Sequence, residues 1–325
     1  MAKPKIGLYW CASCGGCEEA VVDLAEDILK VVAAVDIAFW PVALDFKKTD
    51  LEAIPDGGLA VGFVNGGVRS SEQEEMAKLM RRKSALLVAF GSCAQTGGIP
   101  GLINLYDKEE MLRRVYEEVP SMQNPGKDRP KTAHHEGGHE LELPELHDAV
   151  KPLDEVVGVD YYLPGCPPTP KVIFAAITAI LEGKLPPKGS ILSPDVALCK
   201  ECPLSDSKPE KLEIAEFKRP HQVLIDPQKC LLAQGLLCLG PATRGGCEAQ
   251  CIGAAMPCTG CFGPTSEVVD FGAKAMTAVA SLGAQKDEEG IEKLIDGIPD
   301  PVGTFYRYSL PASRLAGRVP KERAS

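Results

Sequence analysis

Hydrophobic residues in the first half of the chain form short apolar runs that alternate with segments of helical period. The apolar runs predict β-strands at residues 5–10, 35–40, 59–65, 85–90 and 159–163. Helical spacing predicts helices at residues 21–32, 71–82, 108–118 and 169–181, with Ser71 as the N-cap of the second. Strands that alternate with helices predict an α/β fold with a mostly parallel, doubly wound sheet.

The second half of the chain has a different pattern. From about Gly183 onward it is rich in proline, glycine and cysteine, and its helical periodicity fades. Residues 185–189, Leu-Pro-Pro-Lys-Gly, are typical of a link between domains. We therefore expect an α/β domain over residues 1–185 and a loop-rich domain over residues 186–325. Metal ligation can stabilise such a loop-rich segment in place of an apolar core.

Composition and charge narrow the possible partners. The chain has 325 residues, of which 45% are hydrophobic, and a formal net charge of -10. The net charge is negative, and no long run of Lys or Arg is present. Both features argue against nucleic acids and membrane surfaces as partners, because both of these are polyanionic. The first ten residues contain no apolar signal segment and no twin-arginine pair, and no stretch is long and apolar enough to span a membrane. We expect a cytoplasmic protein with protein partners.

Thirteen cysteines need an explanation, because disulfides are rare in the cytosol and metal ligation is the natural alternative. Four of them follow predicted strands: Cys14, Cys17, Cys93 and Cys166. Ligands bind beyond the carboxyl ends of the strands in such sheets, so these four thiols would meet at one edge. Four thiolates suit a [4Fe-4S] cluster, which Gly15 and Gly16 would let the backbone approach. Buried core thiols and a zinc site are the alternatives.

Eight further cysteines follow the link, at Cys199, Cys202, Cys230, Cys238, Cys247, Cys251, Cys258 and Cys261. A Cys-x-x-Cys pair places two thiolates on one loop, and more distant cysteines complete the coordination of a cluster. We assign the first four to one cluster and the last four to another. Interleaved ligation between the two sets stays open, because two-cluster ferredoxins use it. Cys11 is left over, and a small buried thiol accounts for it.

Five motifs together resemble the small-subunit family of nickel–iron hydrogenases. They are Cys14-Gly-Gly-Cys17-Glu18, Gly91-Ser92-Cys93-Ala94 with Gly97-Gly98, Pro164-Gly165-Cys166-Pro167-Pro168, Leu237-Cys238-Leu239-Gly240-Pro241 and Pro257-Cys258-Thr259-Gly260-Cys261. The resemblance covers residues 5 to about 265. It implies a flavodoxin-like amino-terminal domain followed by an irregular iron–sulfur domain.

The resemblance also implies a role for each set of cysteines. The proximal set is Cys14, Cys17, Cys93 and Cys166, the distal set is Cys199, Cys202, Cys230 and Cys238, and the medial set is Cys247, Cys251, Cys258 and Cys261. Many family members have a histidine where this chain has Cys199, and a proline where it has Cys251. The resemblance therefore implies three [4Fe-4S] clusters, all held by cysteine, and this ligation favours low reduction potentials.

The implied function is electron transfer. Hydrogen would be split on the nickel–iron centre of a large subunit, and this chain would conduct the electrons, with no hydrogen-activating site of its own. The closest resemblance is to the cytoplasmic methyl-viologen-reducing, F420-non-reducing type. Its implied acceptor is a [2Fe-2S] delta-type subunit linked to heterodisulfide reductase. F420-reducing and NAD(P)-linked hydrogenases and a complex I-like quinone-site subunit are the alternatives, although the eight later cysteines argue against the last.

Other motifs favour simpler interpretations. His134, His135 and His139 could bind zinc or nickel, but their polar, Gly-rich surroundings predict a mobile, solvated insertion over residues 120–144. Neither a dinucleotide fingerprint nor a Walker sequence is present, so no flavin or nucleotide is expected. Glu18 would stabilise a helix amino terminus, with a proton or partner interface as the alternative.

Overall fold

The computed structural model of the chain describes residues 3–285, 287–298 and 300–315. The strands are β1 Lys5–Trp10, β2 Asp36–Phe39, β3 Leu59–Asn65, β4 Val68–Ser70, β5 Ser84–Phe90, β6 Ala133–Glu136, β7 His139–Glu142, β8 Leu146–Lys151 and β9 Tyr161–Leu163. The α-helices are α1 Gly16–Val22, α2 Asp27–Ala34, α3 Lys48–Ala53, α4 Ser71–Lys83, α5 Ser92–Thr96, α6 Lys108–Arg113, α7 Pro170–Leu181, α8 Gln250–Gly253, α9 Phe271–Ala280, α10 Glu288–Asp296 and α11 Pro301–Phe305.

The central sheet has five parallel strands in the order β2-β1-β3-β5-β9. This is the flavodoxin-like order, so the predicted fold class is confirmed. Apolar side chains cover both faces: one core contains Val21, Val31 and Ile173 from the helices, and the other contains Met76 and Met80 of α4. Burial on both faces explains why the strands read as continuous apolar runs in the sequence.

Several predicted elements differ in detail from the structure. The helix predicted at 21–32 is two helices, because the chain turns between α1 and α2, where Ala25 has a φ of 50°. The N-cap of α4 is Ser70 and not Ser71: the Ser70 hydroxyl accepts a hydrogen bond from Gln73 N, and the Gln73 side chain completes a capping box. The helix predicted at 108–118 is α-helical to Arg113 and continues as a π-helical turn.

The histidine-containing insertion is partly a β-hairpin, where the sequence predicted an unstructured loop. Strands β6 and β7 pair antiparallel, and Gly137 and Gly138 form the turn with positive φ angles of 58° and 82°. All residues of both strands are exposed. The prediction of a solvated insertion therefore agrees in exposure and is wrong in conformation.

Between about residue 186 and residue 270 the second half has little regular structure beyond short 3-10 turns and α8, as predicted. Buried Arg244 fixes this region, since its guanidinium binds the carbonyls of Ser193, Pro194 and Pro264 and lies 2.8 Å from the Asp195 carboxylate. The helices α9, α10 and α11 follow and were not predicted. The predicted second domain extends to 325, and residues 316–325 lie outside the described residues.

None of the helices in the described part of the chain combines the length and the apolar character needed to cross a membrane.

Candidate metal centres

The fold brings the four cysteines of the proximal set together at one edge of the sheet. Cys14 follows β1, Cys17 lies in α1, Cys93 lies in α5 directly after β5, and Cys166 follows β9. The other three thiols of this set all raise the pKa of Cys17 by their charge, and Cys14 and Cys166 do the same for Cys93. Charges act on a pKa in this way between neighbouring groups, so the four side chains lie near one another.

Glycines shape the space around the proximal set. Gly15 has a φ of 87°, which lets α1 begin at the next residue. The Gly16 amide donates a hydrogen bond to the Cys14 sulfur, 3.4 Å away. A Cβ atom built on Gly91 would overlap the Cys17 sulfur, and one on Gly98 would come within 2.5 Å of the Cys93 sulfur. These positions therefore keep the backbone close to the thiols, as a cluster site requires.

Burial weakens the acidity of three of the proximal thiols, those of Cys17, Cys93 and Cys166. It raises the pKa of Cys93 to about 12 and also raises the pKa of Cys17 and Cys166, with further contributions from neighbouring thiols. Thiols with a raised pKa stay protonated at neutral pH in the metal-free protein. A bound metal would replace those protons, because thiolate is the ligand.

The four thiols of the distal set all line one cavity. A Cβ atom built on Gly240 would lie 3.6 Å from the sulfurs of both Cys199 and Cys238, so these two thiols face one point. Burial raises the pKa of Cys238 to about 11, while the backbone amides of Gly240 and Cys258 donate to its sulfur and oppose that rise. Amide donors of this kind stabilise a sulfur that carries negative charge.

The four cysteines of the medial set line a cavity of about 220 Å³, together with Cys166. Burial raises the pKa of Cys261 to about 12, and Cys247 and Cys251 contribute to this rise. Amides of Ala249 and Gln250 donate to Cys247, and the amide of Gly260 donates to Cys258. Cys251 is the exposed member of the set.

These three groups of thiols fit iron–sulfur clusters in number and in amide donors, and the medial and distal sets also line cavities. Within the described residues, no group of three or more His, Cys, Asp or Glu side chains is arranged to hold a single metal ion. A single ion draws its ligands to one point, whereas a cubane spans the space between four separated thiolates.

The three sets lie next to one another in series. Cys166, of the proximal set, lines the cavity that the four thiols of the medial set also line. The amide of Cys258, in the medial set, lies 3.4 Å from the sulfur of Cys238, in the distal set, and donates to it. The medial set therefore lies between the other two and contacts both.

The contacts of Glu201, near the thiols, are not evident from the sequence. The Glu201 carboxylate, located between Cys199 and Cys202, accepts hydrogen bonds from the amides of Gly246 and Glu248, each 2.9 Å away. No local pattern predicts this pairing, because the partners are more than forty residues away in the chain.

Glu18 lies in the first turn of α1, where a carboxylate stabilises the helix dipole, but it is also buried. Its carboxylate accepts hydrogen bonds from the Trp40 indole and from Asn65 Nδ2 at 2.6 Å. Burial raises the pKa of Glu18, and these two donors oppose the rise. Its location near Cys17 is visible in the sequence, whereas its burial and partners are not.

The remaining candidate residues lie away from the three sets. Cys11 is buried under β4 and α4, and burial alone raises its pKa to about 12. His134, His135 and His139 are exposed on the hairpin, where His134 lies 3.8 Å from Glu136. The structure therefore separates Cys11 and these histidines from the other cysteines.

Comparisons with known proteins agree with this geometry. Residues 14–180 match the family model of the NADH ubiquinone oxidoreductase 20 Kd subunit. The iron-sulfur subunit of the F420-non-reducing hydrogenase of Archaeoglobus profundus is 41% identical over 98% of this chain and 99% of its own length. The corresponding hydrogenase subunit of Methanothermobacter thermautotrophicus is 37% identical, with 98% of each chain covered.

A structural match agrees with these relatives at the level of the fold. A chain of the Dm. baculatum [NiFeSe]-hydrogenase aligns with a TM-score of 0.52 and 17% identity, over 82% of this chain and 96% of that one. By sequence and by fold, this protein belongs to the [NiFe]-hydrogenase small-subunit family, and within it to the iron–sulfur subunits of F420-non-reducing hydrogenases.

Proposed function

We propose that this hydrogenase subunit carries electrons from hydrogen oxidation on a large subunit through three [4Fe-4S] clusters to an acceptor subunit. The ligands would be the proximal set (Cys14, Cys17, Cys93, Cys166), the medial set (Cys247, Cys251, Cys258, Cys261) and the distal set (Cys199, Cys202, Cys230, Cys238). The bound clusters would supply one-electron redox chemistry. In this proposal residues 1–185 hold the first cluster and residues 186–325 hold the other two.

The serial arrangement of the three sets carries this proposal. A path for electrons needs neighbouring centres. Cys166 of the proximal set lines the medial cavity, and the Cys258 amide of the medial set donates to the Cys238 sulfur of the distal set. The same contacts support the order proximal, medial, distal. The two separate cavities, one lined by Cys258 and Cys261 and the other by Cys238, support the assignment of these residues to two clusters.

The protein's own contribution is to bury the thiolates, donate amide hydrogen bonds to their sulfurs and exclude water. These donors stabilise the additional negative charge of a reduced centre and so raise its reduction potential. Ligation by cysteine alone acts in the opposite direction, because histidine would remove negative charge. We expect the balance of these two effects to be a low reduction potential, which suits hydrogen oxidation.

The partners follow from the same proposal. They are a nickel–iron large subunit that covers the proximal edge, and a [2Fe-2S] delta-type acceptor subunit linked to heterodisulfide reductase, in the cytoplasm. An F420-reducing or NAD(P)-linked acceptor is the alternative. Purification under anaerobic conditions, with identification of the bound subunits, distinguishes these acceptors.

Metal analysis tests the number of clusters. We expect about twelve iron and about twelve acid-labile sulfides per chain, because each cubane holds four of each. A count of about eleven iron would indicate a three-iron medial cluster and would remove Cys251 from the ligands.

A pair of variants tests the ligand assignment. Cys93→Ala should abolish the proximal cluster signal in electron paramagnetic resonance and stop hydrogen-dependent viologen reduction by the assembled complex. Cys11→Ala should retain both, because Cys11 packs in a different core cluster from Cys17 of the proximal set. Equal losses in the two variants would overturn the assignment of the proximal ligands.

A further inference from the structure

Thr169 occupies the turn between the proximal set and helix α7. It follows Cys166 by three positions and is the N-cap of α7, and only 7% of its surface is exposed. A threonine at an N-cap normally accepts a hydrogen bond from an amide in the first helical turn. Within the described residues, however, the Thr169 hydroxyl makes no capping hydrogen bond.

The Thr169 hydroxyl is also without any other partner. Its oxygen is fully buried, and it forms no hydrogen bond with any residue that the structure describes. A buried hydroxyl without a partner is unfavourable, and such groups are rare in native proteins. This hydroxyl is therefore available to a group that the protein itself does not provide.

The location of Thr169 identifies that group. Thr169 lines the 220 Å³ cavity that is bounded by the medial set, with Cys166 of the proximal set on the same wall. Two other threonines line the cavity, but Thr243 donates to the Leu239 carbonyl at 2.7 Å and Thr259 pairs with the Tyr308 hydroxyl at 3.0 Å. Among these three threonines, Thr169 is the one whose hydroxyl makes no hydrogen bond in the described part of the chain.

We propose that Thr169 donates a hydrogen bond to a sulfur of the medial cluster and raises the reduction potential of that cluster. The proposal rests on the proposed function, which places a cluster among Cys247, Cys251, Cys258 and Cys261. A hydrogen-bond donor stabilises the more negative, reduced form of a cluster more than the oxidised form. Thr169 is thus a positioning residue that tunes the middle step of the electron path.

The test uses Thr169→Val, which keeps the shape of the side chain and removes the donor, and Thr169→Ser, which keeps the donor. The assembled complex is titrated with reductant and followed by electron paramagnetic resonance. The signal that changes in a Cys251→Ser variant identifies the medial cluster. In the valine variant, we expect the ratio of reduced to oxidised medial cluster at a fixed potential to fall about fivefold. That is a shift of about -40 mV, at about 59 mV per tenfold change for one electron.

The serine variant should keep the wild-type potential. An unchanged medial potential in the valine variant, or a shift confined to the proximal cluster, would overturn the inference and leave the proposed function intact. Failure of the wild-type protein to bind a medial cluster would instead overturn the proposed function. If the valine variant loses iron, Thr169→Ala gives the same comparison without a branched side chain in the cavity.

A stability measurement separates this role from a structural one. Without clusters the Thr169 hydroxyl has no partner, so metal-free Thr169→Val should unfold at no lower temperature than the metal-free wild type. Thr96→Val is the matched control, and it should unfold at a lower temperature, because it removes the hydrogen bond from the Thr96 hydroxyl to the Tyr308 carbonyl. Equal destabilisation by the two variants would mean that the Thr169 hydroxyl is structural and would overturn the inference.

Discussion

At the scale of single residues, the candidate metal centres depend on glycine positions that admit sulfur atoms. Gly91, directly before α5, has a φ of 84° and a ψ of 164°, a combination that residues with a Cβ atom rarely adopt. A Cβ atom at this position would also overlap the Cys17 sulfur. Backbone conformation and the space for the thiol thus both require glycine here.

Gly91→Ala should reduce the iron content by about four per chain, because the added methyl group displaces the Cys17 sulfur from the proximal cluster. Gly57→Ala is the matched control, since Gly57 also has a positive φ, 70°, with no atom within 4 Å of the added carbon. Both variants should lose about 1 kcal/mol of stability from backbone strain. Iron analysis measures the first effect, and thermal unfolding measures the second. A full iron content in Gly91→Ala would contradict the predicted loss of the proximal cluster.

Asp160, directly before β9, has a buried carboxylate that contacts three other residues. Its carboxylate lies 2.7 Å from Lys188 Nζ and 2.6 Å from Arg81 Nη1, and it accepts a hydrogen bond from the Leu87 amide. Burial alone would raise the pKa of Asp160, but Lys188 and Arg81 outweigh it and hold the pKa below its usual value. This carboxylate therefore stabilises the fold above the unfolded pKa of about 3.9, and the stabilisation is lost as pH falls through the folded pKa.

Asp160→Asn should destabilise the protein by about 2 kcal/mol, because hydrogen bonds to a charged group are lost. The deficit should be the same at pH 6, 7 and 8, since Asp160 stays ionised throughout that range. Urea unfolding at these values measures it. Asp56→Asn, at a carboxylate that is 64% exposed, should cost less than about 1 kcal/mol. A deficit that changes between pH 6 and 8 would show that the Asp160 pKa lies within that range.

At the scale of elements, the loop of the distal set and the loop of the medial set are fastened to each other. Glu201 lies between Cys199 and Cys202 and binds the amides on both sides of Cys247. A displacement of either loop would break these hydrogen bonds. These hydrogen bonds therefore tie the two cysteine loops to each other.

Glu201→Ala should lower the iron content of both the distal and the medial clusters, because the two loops lose their shared contact. The loss of stability should be about 2 kcal/mol, as for other hydrogen bonds to a charged acceptor. Glu201→Gln keeps one acceptor oxygen and should retain more iron. Glu210→Ala, at an exposed position on the same segment, is the control. Iron loss from only one of the two clusters in Glu201→Ala would show that the loops are independent.

At the scale of the whole molecule, the two halves of the chain obtain their stability differently. The sheet buries large apolar side chains on both faces, including Phe90, Leu87 and Met80. The region around the distal and medial sets contains mostly short turns, and its own apolar core, which includes Phe217 and Leu236, also contains the thiols of Cys238 and Cys258. A metal site in such a region contributes directly to folding free energy.

Removal of iron by a chelator under reducing conditions should therefore expose residues 198–262 and leave the sheet folded. Hydrogen exchange with peptide-level readout measures this, with strands β3 and β5 as the internal reference. We expect amide protection to fall in the first region and to persist in the second. Simultaneous loss in both regions would mean that the halves unfold as one unit.

Local sequence patterns identified much of the sheet and of its carboxyl edge. The boundaries of β1 and β3 agree with the predicted residues 5–10 and 59–65, because a buried parallel strand is a continuous apolar run. The helix α9 was missed although Asp270 caps it and Phe271, Ala275 and Val279 follow at helical spacing. Its small Gly and Ala residues weaken the apolar signal, which explains the omission.

The sequence by itself determined the fold class, the location of Cys14, Cys93 and Cys166 after strands, and the family to which the chain belongs. Only the tertiary structure decided which atoms meet across long separations, as the Glu201 carboxylate and the Gly246 amide do. Only the tertiary structure shows that the Thr169 hydroxyl is buried without a hydrogen-bond partner. Periodicity reports the environment of an element, whereas a hydrogen-bond partner depends on the packing of segments that are distant in the chain.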